Sequence, residues 1–156
     1  MLPNHADGWV ALWTFTLTLA TLLLAWMVYW QVGKLREEGK QARTVAACER
    51  YDLDPQLFLA IQKLEAAVRA KRIKKNPVKY RSDMIFVLNY LEQLAMGCNC
   101  DVYDEGLLKT FMREPFEGHV ESLIDSGAAK KAKIISGDGT NTFQAMLTLH
   151  KKWQTE

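Results

Sequence analysis

The N-terminal part of the chain lacks basic residues, since none of the 20 lysines and arginines precedes residue 34. Residues 9–30 also contain no charged residue of either sign. A secretory signal peptide begins with a basic region and has an apolar stretch of only about 7–15 residues, so both features argue against one. The 22 uncharged residues instead predict a membrane-spanning helix, because a helix of this length rises about 33 Å and a bilayer core is about 30 Å thick.

The basic residues that follow the apolar segment predict its orientation. Lys34, Arg36 and Lys40 come shortly after it, and lysine and arginine are retained on the cytoplasmic side of a membrane. No proline occurs between Pro3 and Pro55, so the helix is expected to continue past the membrane to about residue 50. We therefore expect a cell inner-membrane protein with an extracytoplasmic N-terminus (1–8), a transmembrane helix (9–32), a juxtamembrane helical extension (33–50) and a cytoplasmic helical domain (51–156).

Residues that build metal, redox or nucleotide sites are scarce. The three cysteines, Cys48, Cys98 and Cys100, imply no disulfide framework in a reducing compartment, and they lack the second ligand pair of a zinc site. No glycine-rich phosphate-binding loop is present, and the sequence SGDG at residues 136–139 predicts a turn. The sequence therefore predicts no metal and no cofactor.

Strand patterns are absent as well, since no segment alternates apolar and polar side chains over a sustained length. The pattern predicts an all-α fold, in which the transmembrane helix continues into a cytoplasmic helical bundle. Asp54, Ser82 and Asp104 are expected to cap helices, because their side chains accept hydrogen bonds from first-turn N–H groups. Pro115 is expected to open a further helix. The predicted cytoplasmic helices run from residue 55 to about 73, 82 to 97, 104 to 112, 115 to 127, and onward from a start after residue 139.

Small and hydroxylated side chains recur along the apolar segment at alternating intervals of three and four residues. This spacing keeps them on one face of a helix, and small residues allow two membrane helices to approach closely. The face predicts either a helix–helix contact or the wall of a pore, and both require a homo-oligomer. In the alternative interpretation, the threonines only bond back to their own helix. The residues of this oligomer face are Ala11, Thr14, Thr18, Thr21, Ala25, Val28, Val32 and Leu35.

The segment from residue 69 to residue 81 contains seven basic residues and no acidic one. Such a basic patch is typical of RNA binding or of docking on the anionic lipid head groups of the inner leaflet. It also suits a solvated helix end, where basic side chains complement the helix dipole. All three interpretations stay open. The basic patch comprises Arg69, Lys71, Arg72, Lys74, Lys75, Lys79 and Arg81.

Arg113 and His119 form the one candidate catalytic pair in the sequence. A guanidinium can hold a phosphate while a nearby imidazole moves the proton of a ribose 2′-OH, so two such pairs at a dimer interface would suit a metal-free ribonuclease. Glu114 disfavours this chemistry because its charge repels a phosphate, and Pro115 stiffens the segment. The alternative is a structural role, with Arg113 as a cation at a helix start and His119 as a half-buried core residue.

The segment 83–124 resembles a bacterial family of unknown function, through the sequence VLNYLEQLAMG followed by DEGLLKTFM and an aromatic-bearing helix. Members of that family are small proteins with one N-terminal span and a helical cytoplasmic domain. The layout also resembles the membrane accessory proteins of type VI-B CRISPR systems. This second resemblance implies a divergent HEPN-like domain, assembly into a membrane pore and a role in antiphage defence. The HEPN signature places a histidine four to six positions after an arginine, as Arg113 and His119 are placed here.

Three functions follow as alternatives. The first is an oligomeric single-pass membrane effector, forming a pore or ring in CRISPR-linked antiphage defence without enzymatic activity. The second is a membrane-tethered HEPN ribonuclease that uses Arg113 and His119. The third is a membrane scaffold that tethers a partner and has no activity of its own. The expected partners are inner-membrane lipid, further copies of the chain, and RNA or an RNA-guided nuclease complex.

Overall fold

The computed structural model describes residues 5–135 and 142–155. Helices are the regular elements in this part of the chain, so the all-α prediction is confirmed. The turn predicted at residues 136–139 lies outside the described residues. The elements are α1 (His5–Leu53), α2 (Pro55–Arg69), α3 (Arg72–Lys75), a 3-10 turn (Pro77–Tyr80), α4 (Arg81–Asn99), α5 (Glu105–Val120), a π-helical turn (Glu121–Asp125), α6 (Ala128–Lys131) and α7 (Gln144–Thr155).

The chain divides into two compact units, Met1–Gly39 and Lys40–Glu156. Among the described residues, α1 is the one helix long and apolar enough to cross a membrane, in agreement with the predicted span. None of its most apolar window is buried, and Trp26 and Tyr29 are 72% and 81% exposed. A continuous exposed apolar surface of this kind favours lipid over water as its surroundings.

The junction between α1 and α2 confirms the predicted helix cap. The Asp54 carboxylate accepts hydrogen bonds from the backbone N–H groups of Gln56 at 2.9 Å and Leu57 at 3.2 Å. Pro55 is the first residue of α2, where its missing N–H has no helical acceptor to serve. The chain therefore leaves α1 after Leu53 and begins α2 at once.

The end of α2 differs from the prediction of a helix reaching residue 73. α2 stops at Arg69, and Lys71 takes up a left-handed conformation with φ of 53°. The N–H of Lys71 bonds to the carbonyl of Val68 at 2.9 Å, which closes the last turn. The reversal turns Ile73 inward, where it is 2% exposed. Burial of this apolar side chain stabilises the interrupted helix. The periodicity of the sequence does not predict the interruption.

α4 begins earlier and ends later than its local signals predict. Ser82 does not cap it, because the 3-10 turn Pro77–Tyr80 runs directly into its first residue, Arg81. Gly97 does not end it, and the helix continues to Asn99. The Tyr103 ring covers Gly97 so closely that a Cβ there would lie 2.1 Å from Cδ2. Gly97 therefore leaves space for the Tyr103 ring to pack against the helix.

Helix α5, Glu105–Val120, is a single helix where the sequence predicts two. The predicted cap is confirmed, since the Asp104 carboxylate accepts a hydrogen bond from the N–H of Leu107 at 2.9 Å. Pro115, expected to open a second helix, instead lies inside α5. Met112 and Phe116, on either side of it, are 3% and 0% exposed. Their burial holds the helix continuous through the proline, at the expense of one backbone hydrogen bond.

The core of the second unit lies around α4, which packs against α2 and α7, while α7 also contacts α5. The Phe116 and Trp153 ring centroids are 5.0 Å apart, and both side chains are fully buried. The indole N–H of Trp153 donates to the Glu105 carboxylate at 3.1 Å. α7 is therefore attached to α5 by an aromatic contact and a partly buried hydrogen bond.

Candidate functional site

The structure gives Arg113 and His119 different partners, although both residues lie on α5. The Arg113 guanidinium donates to the Glu117 carboxylate at 3.0 Å and to the backbone carbonyl of Trp153 at 3.1 Å. The His119 Nε2 atom lies 2.7 Å from the Tyr51 hydroxyl oxygen. Residues six positions apart on a helix point about 120° apart, so the two side chains are not brought together within one chain.

The structural interpretation of the same pair is altered in two respects. Arg113 lies in the interior of α5, so it is not a cation at a helix start. His119 is 7% exposed and is thus buried, where half-burial was expected. The catalytic assignment stays a prediction, which a second subunit would have to complete.

His119 contributes to a pocket of about 510 Å³ that lies between the end of α1, α2 and α5, within the second unit. This volume falls in the range of about 300–1,000 Å³ that is typical of small-molecule sites. The pocket is the candidate functional site, because it gathers polar side chains from three helical segments. Its polar lining consists of Tyr51, Glu65, Arg69, Glu114, His119 and Ser122.

Burial sets the protonation of the Tyr51–His119 pair. Desolvation lowers the pKa of His119, and the charge of Glu65 opposes this only in part. Burial, with smaller contributions from Glu65 and Asp52, raises the pKa of Tyr51 to about 12. The phenol therefore keeps its proton at neutral pH and the imidazole is mainly unprotonated. A neutral pair linked by one hydrogen bond forms this part of the pocket wall.

The charges around the pocket are unequal. Arg69 on α2 forms an ion pair with Glu65 at 3.3 Å, so the basic side chain of the lining already has an acidic partner. Glu114 is exposed, and within residues 5–135 and 142–155 its carboxylate has no ion pair or hydrogen bond to another residue. The lining therefore carries one uncompensated negative charge.

The α5 wall of the pocket departs repeatedly from good helix-forming sequence. Pro115 and Gly118 both lie inside the helix, where proline costs about 3 kcal/mol and glycine about 1 kcal/mol relative to alanine. Ser122 follows in the π-helical turn, a conformation that is frequent at functional sites. The three residues are spaced to share one face. A Cβ on Gly118 would meet nothing within 4 Å, so the glycine leaves open space.

The sequence does not predict most of these pocket residues. Tyr51, Glu65 and Ser122 belong to no recognisable motif, and 71 positions separate Tyr51 from Ser122. One local signal was available, namely the proline and the glycine three residues apart in a segment with helical periodicity. Pro115 also fits a helix start, so this signal alone does not predict an irregular helix.

The basic patch lies on the exposed surface between α2 and α4. Its loop is anchored by Ile73 and Pro77, which are buried, while all seven basic residues are exposed. Arg69 alone of the patch also lines the pocket. Binding of lipid or RNA by the patch stays a prediction.

The threonine hydroxyls of the oligomer face bond to their own helix. Thr14, Thr18 and Thr21 each donate to the backbone carbonyl four residues earlier, at 2.8 Å, and Thr16, off the face, does the same. The geometry expected by the alternative interpretation is therefore present. All residues of the face are exposed in the chain, so its role in assembly stays a prediction.

Comparison with known protein families accounts for most of the chain. A family model described as Domain of unknown function (DUF4760) matches residues 6–123. The chain belongs to the DUF4760 family. The match includes the apolar segment of α1 and every polar residue of the pocket, and it ends before α6 and α7. Membership agrees with the expected resemblance to a family of unknown function. Comparisons with curated proteins and with solved structures find no match.

Proposed function

We propose that this DUF4760 protein is an oligomeric single-pass membrane effector that acts without catalysis. The observation that supports this most is the exposure of α1, none of whose most apolar window is covered by the chain itself. In a bilayer such a helix can contact only lipid or other spans, and small residues along one face favour other spans. The partners in this proposal are inner-membrane lipid and further copies of the chain.

The proposed topology has the N-terminus outside the inner membrane and the Lys40–Glu156 unit in the cytoplasm. It is supported by charge, because all lysines and arginines follow residue 33. The proposed setting is CRISPR-linked antiphage defence, where the assembly forms a pore or ring. The support for that setting is the resemblance of the layout to type VI-B accessory proteins.

A membrane-tethered ribonuclease has less support. A guanidinium that binds a substrate phosphate must be able to reach it, whereas Arg113 already donates to two acceptors of its own chain. A scaffold without activity differs from the effector only in lacking self-assembly, so stoichiometry separates the two.

The proposal is tested by the size and permeability of the assembly. We expect the full-length protein in a neutral detergent to form one discrete oligomer larger than a dimer, measured by native mass spectrometry, and to release dye from loaded vesicles. Replacing Thr14, Thr18 and Thr21 by leucine should break the oligomer, because each leucine adds bulk where helix backbones must approach. The steric loss accumulates over the subunits, because every helix–helix contact of the oligomer would contain the three bulkier side chains.

The matched control replaces Leu19, Leu22 and Leu23 by isoleucine, which alters surface off the oligomer face and should leave assembly intact. A monomeric wild-type protein would contradict the proposal and favour the scaffold. Robust RNA cleavage that is lost on replacing Arg113 and His119 by alanine would favour the ribonuclease. Equal loss of assembly in both triple variants would show that the contact face is assigned wrongly.

A further inference from the structure

We propose that the pocket between α2 and α5 binds a small organic cation, consisting of a protonated amine or guanidinium on an apolar body. This inference goes beyond the membrane effector, because the pocket lies entirely within the Lys40–Glu156 unit. It depends on the charges, walls and shape of the pocket and not on assembly of the span.

The charge of the lining selects against anions. A phosphate or carboxylate would compete with Glu65, which lies 3.3 Å from Arg69, and would also face the carboxylate of Glu114. A cation meets the opposite situation, since Glu114 is available to it and the Glu65–Arg69 pair can stay closed. A charge-assisted hydrogen bond to a carboxylate is about twice as strong as one between neutral groups.

The remaining walls require an apolar body on the ligand. Leu64, Val68 and Pro115 contribute hydrocarbon surface to the pocket. A small hydrated metal ion would leave this surface in contact with water, whereas a ring or alkyl chain would cover it. The volume of about 510 Å³ admits a ligand of that kind.

The Tyr51–His119 pair gives the pocket a polar contact that carries no charge. Because the two groups are neutral and share one hydrogen bond of 2.7 Å, they offer a ligand only uncharged donors and acceptors. They can orient a hydroxyl or amide without competing for its charge. The cationic end of the ligand is therefore directed toward Glu114, which leaves the body against the apolar wall.

The irregular wall of α5 supports a binding role for the space itself. Gly118 lowers helix stability, yet the room it leaves is not filled by any neighbouring side chain. Pro115, one turn earlier, sacrifices a backbone hydrogen bond on the same face. Departures from local sequence rules without a packing benefit are expected where function requires them. A side chain at position 118 would project into the pocket.

The test uses three probes that share one ring and differ in charge: 2-phenylethylamine, 2-phenylethanol and 3-phenylpropionate. Binding to the full-length protein in a neutral maltoside detergent is followed by NMR of the His119 imidazole. We expect the amine to bind at least about tenfold more tightly than the alcohol and the acid, which corresponds to about 1.4 kcal/mol.

Two variants locate the binding. Glu114→Gln should weaken the amine by about tenfold and leave the alcohol unchanged, while Glu121→Gln, an exposed carboxylate outside the pocket, should change neither. Gly118→Met should abolish binding of all probes, because its side chain fills the open space and its helix propensity preserves the fold. Circular dichroism is used to check that each variant remains folded.

Four results would overturn the inference. Equal affinities for the three probes would show an apolar pocket without charge selectivity. Tightest binding of the acid would show that Arg69 opens to receive anions. Amine binding that survives both Glu114→Gln and Gly118→Met would show partitioning into detergent. Absence of any shift at His119 with all three probes would show that the pocket does not bind ligands of this class.

Discussion

The carboxylate of Glu92 on α4 accepts a hydrogen bond of 2.8 Å from the backbone N–H of Met146 on α7. Its second oxygen accepts from the N–H of Ala145 at 3.1 Å. The first N–H groups of a helix have no acceptor in their own helix, so α4 supplies one across 54 residues of sequence. A negative charge at this position also complements the positive end of the α7 dipole.

Replacing Glu92 by alanine should lower the free energy of unfolding by about 1.5–3 kcal/mol, because two charge-assisted hydrogen bonds are lost. The measurement is urea denaturation of the full-length protein in detergent, followed by circular dichroism. Gln93→Ala, at an exposed neighbouring position of α4, should change stability by no more than about 0.5 kcal/mol. Equal effects of the two substitutions would show that the cap contributes nothing.

Thr44 in the second unit should be sensitive to loss of its hydroxyl. It is fully buried, donates to the carbonyl of Lys40 and accepts from the N–H of Asp104, each at 2.8 Å. Thr44→Val keeps the shape but leaves the Asp104 N–H without an acceptor, which should destabilise the protein by about 1–3 kcal/mol.

The control for Thr44 is Thr110→Val on α5. The Thr110 hydroxyl is exposed and bonds only to the carbonyl of Gly106 within its own helix. Thermal or urea unfolding should therefore change little for this variant. A loss as large as that of Thr44→Val would indicate a general effect of replacing a helical hydroxyl by a methyl group and not of the buried hydrogen bond.

Two glycines within helices should respond oppositely to alanine. Gly118→Ala should stabilise the protein by about 0.5–1 kcal/mol, because alanine is the better helix former and its Cβ meets no neighbour. Gly97→Ala should destabilise it, because the new Cβ would lie 2.1 Å from Cδ2 of Tyr103 and the ring must move. Denaturation midpoints that shift in the same direction would contradict this contrast.

Stability should depend on the protonation of His119. Burial lowers its pKa below the ordinary value of 6.5, so the unfolded chain binds the proton first as pH falls. The contribution of neutral His119 to the free energy of unfolding is complete above pH 6.5. It is lost as pH falls through the pKa of His119 in the folded state. The measurement is urea denaturation between pH 7.5 and pH 5, with His119→Gln as the comparison.

The His119→Gln variant removes this group, so its stability should decline less over the same interval. NMR titration of the imidazole in the wild type should independently give a pKa under 6.5. A wild type and variant that lose stability in parallel would show that other groups govern the acid response.

The features that the sequence determined by itself are those with local physical causes. The candidate span follows from an uncharged segment whose length matches a bilayer. The caps at Asp54 and Asp104 follow from side chains that bond two or three residues ahead. The all-α fold follows from helical periodicity without strand patterns. Each cause acts within one turn or one segment, so no knowledge of neighbours is needed.

Tertiary structure decided where local signals conflict with packing. Pro115 predicts a helix start, but burial of Met112 and Phe116 keeps α5 continuous. Gly97 predicts a helix end, but the Tyr103 ring occupies its surface. In each case, side-chain packing outweighs the local preference.

The candidate site shows the same division. Arg113 and His119 are close in sequence, yet the helix turns them toward α7 and α1, respectively. Tyr51 and Glu65 are distant from His119 in sequence, yet α1 and α2 bring them to its pocket. The sequence specified the side chains and their spacing. Only the packing of α2 and α5 decided which of these side chains line the same pocket, because this depends on which faces of the two helices meet.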